Sequence, residues 1–346
     1  MSSKKIIAVI GATGGQGGSV VKALLSDPKM SDWAIRGITR DATKESSKKL
    51  ASEGVEVVTG DLDSKASMLA AFKGVYAVFA VTNYWEKMDM ELEIEQGKNL
   101  ADAALVYLCL TRQYLGNRRP TFHLEFPFEC HRVYARPSCS FSDRLTDMSI
   151  PVTNGALLNV HHFDSKAKVE AYIRTTALPA TYMLPGFYMS NFPNGNLKQS
   201  PPNNDWTLAM PVPVTAQVPL FATIEDAGKF VKGILNNREK TLGKRVLAAT
   251  KYYSFQEMLD AFKAAFPEAG KTAQYFEAPH DVYKGFLTSA GLPEFAAQEL
   301  LENMRLLNEG GYYGDESLEW SHSLVDEKLT TWEEFIKGAK AFADLK

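Results

Sequence analysis

A continuous apolar run, Ile6-Ile-Ala-Val-Ile10, leads straight into Gly11-Ala-Thr-Gly-Gly-Gln-Gly17, and from Ser19 to Leu25 apolar residues resume at helical spacing. No other feature of the chain constrains its fold as tightly. Ile6, Ile7, Val9 and Ile10 are β-branched, as suits a strand buried on both faces of a parallel sheet. Gly11 permits a tight turn, Gly14 lets the backbone approach a pyrophosphate, and Gly17 lets the following helix pack close to the strand. Ala12, Thr13, Gly15 and Gln16 complete the loop, whose unpaired N–H groups at the helix start favour an anion. The strand–glycine–helix order separates a dinucleotide-binding turn from an ordinary βα connection.

The next βα unit refines the ligand. Trp33 to Thr39 reads as a strand, and Arg40 stands at its C-terminal end, 23 residues beyond Gly17. An acidic residue there suits the ribose hydroxyls of NAD, whereas an arginine suits a 2′-phosphate. Asp41 follows directly, then Ala42 and Thr43, and Lys44 adds to the positive patch. The expected cofactor is therefore NADP. Val55 to Thr59 makes a third strand, ending in Gly60-Asp61-Leu62, where Asp61 and Leu62 are placed to edge an adenine ring. A helix over Ser64 to Phe72 and a fourth strand over Val75 to Val81 follow, closed by Thr82, Asn83 and Tyr84. Ligands of open α/β sheets bind outside the carboxyl ends of the strands, so these four strand ends converge on one crevice. Glu91 to Ala104 is then an amphipathic helix.

Composition bounds the rest. At 346 residues, the chain is long enough for about two domains. A net charge of −3 argues against a nucleic-acid or anionic-membrane partner. No apolar run approaches the length of a membrane-spanning helix. The apolar run near the N-terminus is too short for a signal peptide's core. Three cysteines suit a reducing compartment, and the expected location is cytoplasmic, with the nucleus also open.

With these pieces in place, the chain resembles the NmrA-like family of atypical short-chain dehydrogenase/reductases. The resemblance is carried by Gly11-Ala-Thr-Gly-Gly-Gln-Gly17, Gly37-Ile-Thr-Arg40, Gly60-Asp-Leu62 and Val78-Phe-Ala-Val-Thr-Asn-Tyr-Trp-Glu86. His162-Phe-Asp-Ser-Lys166 and Leu184-Pro-Gly-Phe-Tyr-Met-Ser-Asn191 add to it, and the likeness covers residues 1–104 and 153–346. It implies that the glycine loop, Arg40 and the Thr82-Asn83 pair hold NADP(H), and that Lys166 lies by the nicotinamide ribose. Phe187, Tyr188, Met189, Ser190 and Asn191 would border the same place. Working short-chain dehydrogenases use a Tyr-x-x-x-Lys pair; here the spacing is kept, but His162 stands where the tyrosine would be. His162 and Lys166 are i and i+4 on one helical face, which makes them the candidate catalytic pair. A neutral histidine can act as acid or base near pH 7. The plainer alternative is a polar helix start with Lys166 holding only ribose hydroxyls. Tyr188 is a substitute phenol or a packing residue.

Between Leu105 and about Ile150 the pattern breaks. The resemblance calls for a fifth strand ending in a serine beside the nicotinamide, and no such unit is legible. Val106 to Leu110 is apolar enough but follows the helix without a turn, and Thr111 to Pro137 shows no period. Six of the twelve arginines and all three cysteines (Cys109, Cys130, Cys139) fall within residues 105–147, while no lysine occurs between Lys98 and Lys166. A zinc site using Cys109, Cys130, His131 and Cys139 matches no structural-zinc spacing, and no metal is expected. The segment is read as translated non-coding sequence in preference to a lineage-specific insertion. A chain without the strand and serine would have lost catalytic groups; Ser140 and Ser142 have no support as replacements.

From Pro151 the pattern resumes. Ala180 to Leu184 reads as a strand, residues 192–220 as an irregular pocket-lining segment, and Thr223, Ser254 and Thr330-Thr331 as helix starts. Pro293 to Asn308 is amphipathic, with Phe295, Leu300, Leu301, Met304 and Leu307 on one face. The expected architecture is α/β: a Rossmann-type doubly wound parallel sheet over residues 1–190, to which 222–250 return. Residues 191–221 and 251–346 would form a smaller, mostly helical substrate domain. The expected activity is an NADP(H)-dependent oxidoreductase acting on a small organic carbonyl or imine, as in fungal-type secondary metabolism. The alternative is a non-catalytic NADP(H) sensor that signals to a protein partner.

Overall fold

The computed structural model describes residues 4–114, 121–125, 153, 155–200, 202–314 and 316–345. The first half runs β1 (Lys5–Ile10), α1 (Gly15–Ser26), β2 (Trp33–Thr39), α2 (Glu45–Ser52), β3 (Glu56–Thr59), α3 (Lys65–Ala71) and β4 (Ala77–Val81). Next come α4 (Met90–Tyr114), β5 (Thr121–Glu125), α5 (His161–Arg174), β6 (Ala180–Pro185) and β7 (Phe187–Tyr188). Then follow β8 (Leu197–Ser200), β9 (Asp205–Met210), β10 (Gln217–Phe221), α6 (Thr223–Asn236), β11 (Arg245–Ala248) and β12 (Lys251–Ser254). The last third holds α7 (Phe255–Ala265), β13 (Gln274–Glu277), α8 (His280–Ser289), α9 (Glu294–Glu309) and α10 (Trp332–Gly338).

Seven strands pair in the order β11-β6-β5-β4-β1-β2-β3, all parallel. Successive strands build outward from β1 in one direction and then, from β4, in the other. The reversal between β1 and β4 opens a crevice at their carboxyl ends. The unbroken apolar run of β1 follows from burial on both faces. Ile7 and Val9 pack with Val20, Leu24, Phe79 and Phe230 of the α1–α6 layer, while Ala8 and Ile10 join Leu100, Ala103 and Phe163 of the α4–α5 layer. Two three-stranded sheets, β12-β10-β7 and β13-β9-β8, stand beside the helices of the C-terminal part.

Two expectations fail in the middle segment. Helix α4 does not end at Ala104 but continues to Tyr114, so strand-like Val106 to Leu110 is helical. A fifth strand also exists. β5 sets Phe122 between Val78 and Ala180 and Leu124 between Ala80 and Tyr182. Without it, the facing edges of β4 and β6 would carry unpaired N–H and C=O groups inside the sheet, which is costly. Thr121-Phe-His-Leu-Glu125 does alternate, with Gly116-Asn117 and Pro120 before it and Pro127 after it, but over only five residues. Cys109 lies in the later turns of α4, while Cys130, His131, Cys139, Ser140 and Ser142 fall outside the described residues. Among the described residues no cluster of His, Cys, Asp or Glu is arranged to hold a metal, and no helix is long and apolar enough to cross a membrane.

Helix starts are mostly as read. Ser254 and Thr331 each make a full capping box, with Glu257 and Glu334. Thr223 does not cap: Ala222 holds the cap position of α6 and the Thr223 hydroxyl makes no hydrogen bond. Phe295, in the first turn of α9, is half-exposed, whereas Glu299, Glu302 and Asn303 further along the helix are buried.

A side chain at Gly17 would put its Cβ 2.3 Å from the Gly11 carbonyl oxygen. Gly17→Ala is therefore expected to lower stability by about 1–3 kcal/mol, read as a reduced urea midpoint. An unchanged midpoint would contradict the close approach of α1 to β1.

Candidate functional site

The carboxyl ends of β1, β2, β3 and β4 surround a crevice of about 920 Å³. Its floor is the glycine loop. Gly11 adopts φ +63°, and the Gly14 N–H closes the turn on the Gly11 carbonyl at 2.8 Å. Gly14 is also the cap of α1 and offers no side-chain acceptor, so the first N–H groups of the helix remain available to an anion. A Cβ on Gly14 would lie 3.2 Å from the Gly11 carbonyl and crowd that cradle. Gly11, Thr13, Gly14, Gly15, Gln16 and Gly17 all line the crevice, and Gln16 Nε2 donates to the Tyr188 hydroxyl.

The second wall carries two cations among several carboxylates. Arg40 and Lys44 border the crevice, and the exposed Arg40 guanidinium pairs with Glu86 from the turn after β4. That hydrogen bond holds the Arg40 pKa above its ordinary value. Asp41 also borders the crevice, but its carboxylate accepts the Thr43 backbone N–H at 2.8 Å and the Thr43 hydroxyl at 2.6 Å. These two bonds hold its carboxyl below the usual range. The acidic group beside Arg40 is thus engaged in a local turn. Asp61 and Leu62 line the next stretch.

The third wall, Thr82, Asn83, Tyr84 and Trp85, covers two buried carboxylates. Glu93 of α4 lines the crevice yet is almost fully buried. It accepts the Thr82 hydroxyl at 2.8 Å, the Lys166 ammonium at 2.7 and 2.8 Å, and the Ser165 hydroxyl at 2.5 Å. Glu299 of α9 accepts His162 Nδ1 at 2.5 Å, the His162 backbone N–H at 2.8 Å and the Tyr84 hydroxyl at 2.6 Å. It thereby supplies the first turn of α5 with the acceptor that its own cap residue, Val160, lacks. Glu302 holds the approach to that turn, accepting the N–H groups of Leu158 and Asn159, each at 2.7 Å.

Burial sets the charges. Desolvation lowers the His162 pKa despite Glu299. Burial pushes the Glu299 carboxyl up, but hydrogen bonds from His162 and Tyr84 outweigh it and hold the group below its ordinary range. An ionised carboxylate only accepts hydrogen bonds, so the neutral imidazole carries its proton on Nδ1. Burial and Glu299 together raise the Tyr84 phenol, which stays protonated. Burial lowers the Lys166 pKa, with Glu93 opposing.

Most of the expected site residues meet at this crevice; Ser190 and Tyr188 close it from the C-terminal side. Lys166 and His162 lie behind the third wall and do not line it. Ala12, Phe187 and Met189 are buried in the cores, and Ala42, Thr43 and Asn191 stand away from the lining. Glu93, Glu299 and Glu86 carry much of the site's electrostatics and have no distinctive sequence signal. Glu93 is one of three alternating glutamates at the start of α4.

The sheet order, the open helix terminus and the crevice define a dinucleotide-binding Rossmann-type protein. The NmrA-like family model matches residues 3–106 and 146–336, and the chain belongs to that family. The gap in the match brackets the segment of unusual arginine and cysteine content. The NmrA-like family domain-containing oxidoreductase cpsB of Aspergillus campestris is 29% identical over 333 residues, covering 91% of this chain and 86% of that protein. FrzB of Cladobotryum sp, another oxidoreductase so named, is 28% identical over 346 residues, covering 94% of this chain and 91% of its own. Among solved structures, NmrA, a negative transcriptional regulator in complex with NADP, superposes with TM-score 0.69 at 18% identity, over 96% of this chain and 94% of that one. Citrobacter sp. triphenylmethane reductase complexed with NADP(H) gives TM-score 0.67 at 20% identity, over 96% and 99%. Both share the fold.

The buried imidazole has a consequence for stability. An unfolded histidine titrates near 6.5, whereas folded His162 titrates lower. As pH falls through about 6.5, the unfolded chain takes up a proton that the folded chain refuses, so stability falls. The Tm is expected to drop between pH 7 and 5.5 more steeply than in His162→Asn. Equal slopes for the two proteins would show that the imidazole is not held neutral.

Proposed function

We propose that this chain is an NADP(H)-dependent oxidoreductase acting on a small organic carbonyl or imine. The observation that carries the reading is the crevice itself. The open helix terminus after β1 lies between the Arg40–Lys44 corner after β2 and the wall after β4 that covers a buried Lys–Glu pair, as a dinucleotide carries its pyrophosphate between the 2′-phosphate and the nicotinamide. Curated relatives covered over most of their length are named as oxidoreductases, which supports turnover over a sensing role.

The loop from Gly11 to Gly17 would receive the pyrophosphate through backbone N–H groups and the start of α1. Arg40 and Lys44 would take the 2′-phosphate, with Glu86 giving up its place on Arg40. Asp61 and Leu62 would edge the adenine, while Thr82, Asn83 and Tyr84 would flank the nicotinamide nucleoside. When bound, the nicotinamide supplies or accepts hydride. Tyr188 and Ser190 would close the crevice from the other side. His162, oriented by Glu299, and Lys166, paired with Glu93, hold the ionisable groups behind the reacting end.

Three measurements test the reading. Purified protein should consume NADPH with a panel of small carbonyl and imine acceptors; tight dinucleotide binding without any turnover would favour a sensor. Arg40→Ala should remove a preference for NADPH over NADH of roughly 10- to 100-fold. Glu86→Gln should strengthen NADPH binding by up to about fivefold, the reach of an exposed ion pair. An unchanged NADPH/NADH ratio in Arg40→Ala would remove the cationic corner from the account.

A further inference from the structure

We infer that the Arg40–Glu86 ion pair is a latch and Trp85 the lid it holds: a 2′-phosphate arriving on Arg40 frees the turn after β4, and the Trp85 indole then uncovers His162 to the crevice. The inference rests on the crevice reading above and deepens it. The turn is short, Tyr84–Glu86, and each of its side chains has a different hold. Tyr84 is buried and donates its hydroxyl to Glu299 at 2.6 Å. Trp85 packs its indole on the His162 imidazole, with ring centroids 4.9 Å apart and planes inclined at 51°. Glu86 pairs with Arg40 from the turn after β2. Because β1 lies between β4 and β2, that ion pair spans the end of β1, where the glycine loop begins. Tyr84 and Trp85 line the crevice, whereas His162 is 1% exposed and does not. The Tyr84 ring lies 5.9 Å from the imidazole, so the two aromatic side chains stand between His162 and the crevice.

The turn is poised to move. Tyr84 is its anchor, but the holds beyond it are weak. Asn83 gives no side-chain cap. The Glu86 N–H donates to the Asn83 carbonyl at 3.3 Å, and the Lys87 N–H to the Tyr84 carbonyl at 3.2 Å. Met88 closes the turn onto the Tyr84 carbonyl at 2.7 Å, yet it does so at φ +53°, a left-handed conformation that is costly for a residue with a side chain. Arg40 and Glu86 are both exposed, and such a pair contributes little in water. A phosphate competes well for this guanidinium, since its oxygens match the planar fork and carry more charge than a carboxylate. Asp61 and Asp63 already act on the same guanidinium, so a phosphate arriving there adds to the negative charge around it. Glu86, on a weakly held turn, is the group that can withdraw. NADH lacks the 2′-phosphate, so the corner selects the phosphorylated dinucleotide by access to His162 as well as by affinity.

The probe is 2′,5′-ADP, which carries the adenine and the 2′-phosphate but no nicotinamide to cover His162. Calorimetry follows its binding. Peptide mass spectrometry follows the reaction of His162 with diethyl pyrocarbonate, with the exposed His280 as internal reference. His162 should be protected in the free protein. With 2′,5′-ADP its labelling relative to His280 should rise about two- to fivefold, the reach of an exposed ion pair. The same concentration of 5′-AMP, which lacks the 2′-phosphate, should leave it unchanged. Glu86→Gln should show the same rise without ligand, and Trp85→Ala should label fast with or without it. If 2′,5′-ADP fails to bind, the crevice reading fails and the latch with it. Binding without increased labelling, or an equal increase with 5′-AMP, would overturn the latch alone and leave the crevice reading in place. So would a Glu86→Gln or Trp85→Ala protein whose His162 is as protected as in wild type.

Discussion

The site depends on an ion pair buried behind the crevice wall. Lys166 and Glu93 sit almost wholly out of water, one on α5 and one on α4. Burying two charges is costly, and the cost is offset only when geometry is good and every remaining hydrogen-bonding position is filled. Here Thr82, Ser165 and the His162 carbonyl fill them. The pair therefore fixes the relative placement of β4's end, the start of α4 and the first turns of α5. Those elements are the wall against which a nicotinamide would lie.

A second buried carboxylate extends the same design across the chain. Glu299 and Glu302 reach from α9 to the start of α5 and accept its unpaired N–H groups and those just before it. The C-terminal part thus helps to hold the His162 turn while also packing beside the crevice. The two carboxylates on either side of α5's first turns explain how a histidine at the tyrosine position is accommodated. Burial holds it neutral, and Glu299 fixes its tautomer.

The dinucleotide half was legible because its elements obey local rules. A strand buried on both faces must be apolar throughout, a glycine turn must precede an open helix terminus, and the strand ends must converge. Arg40 and Lys44 were readable for the same reason. The carboxylates were not: Glu93 and Glu299 lie on helices whose patterns look like ordinary amphipathic surfaces, and only the tertiary packing turns them inward. β5 is not legible because its alternation spans only five residues in a stretch of unusual arginine and cysteine content, and the need for it comes from the edges of β4 and β6. Lys166 was located correctly in the helix, but its burial on Glu93 is a property of the packing, invisible in the spacing from His162.

The most direct test of the account is a crystal structure with NADP bound. The pyrophosphate should lie on the Gly11–Gly17 loop and the 2′-phosphate on Arg40 in the place of Glu86. A dinucleotide bound outside the crevice would contradict it.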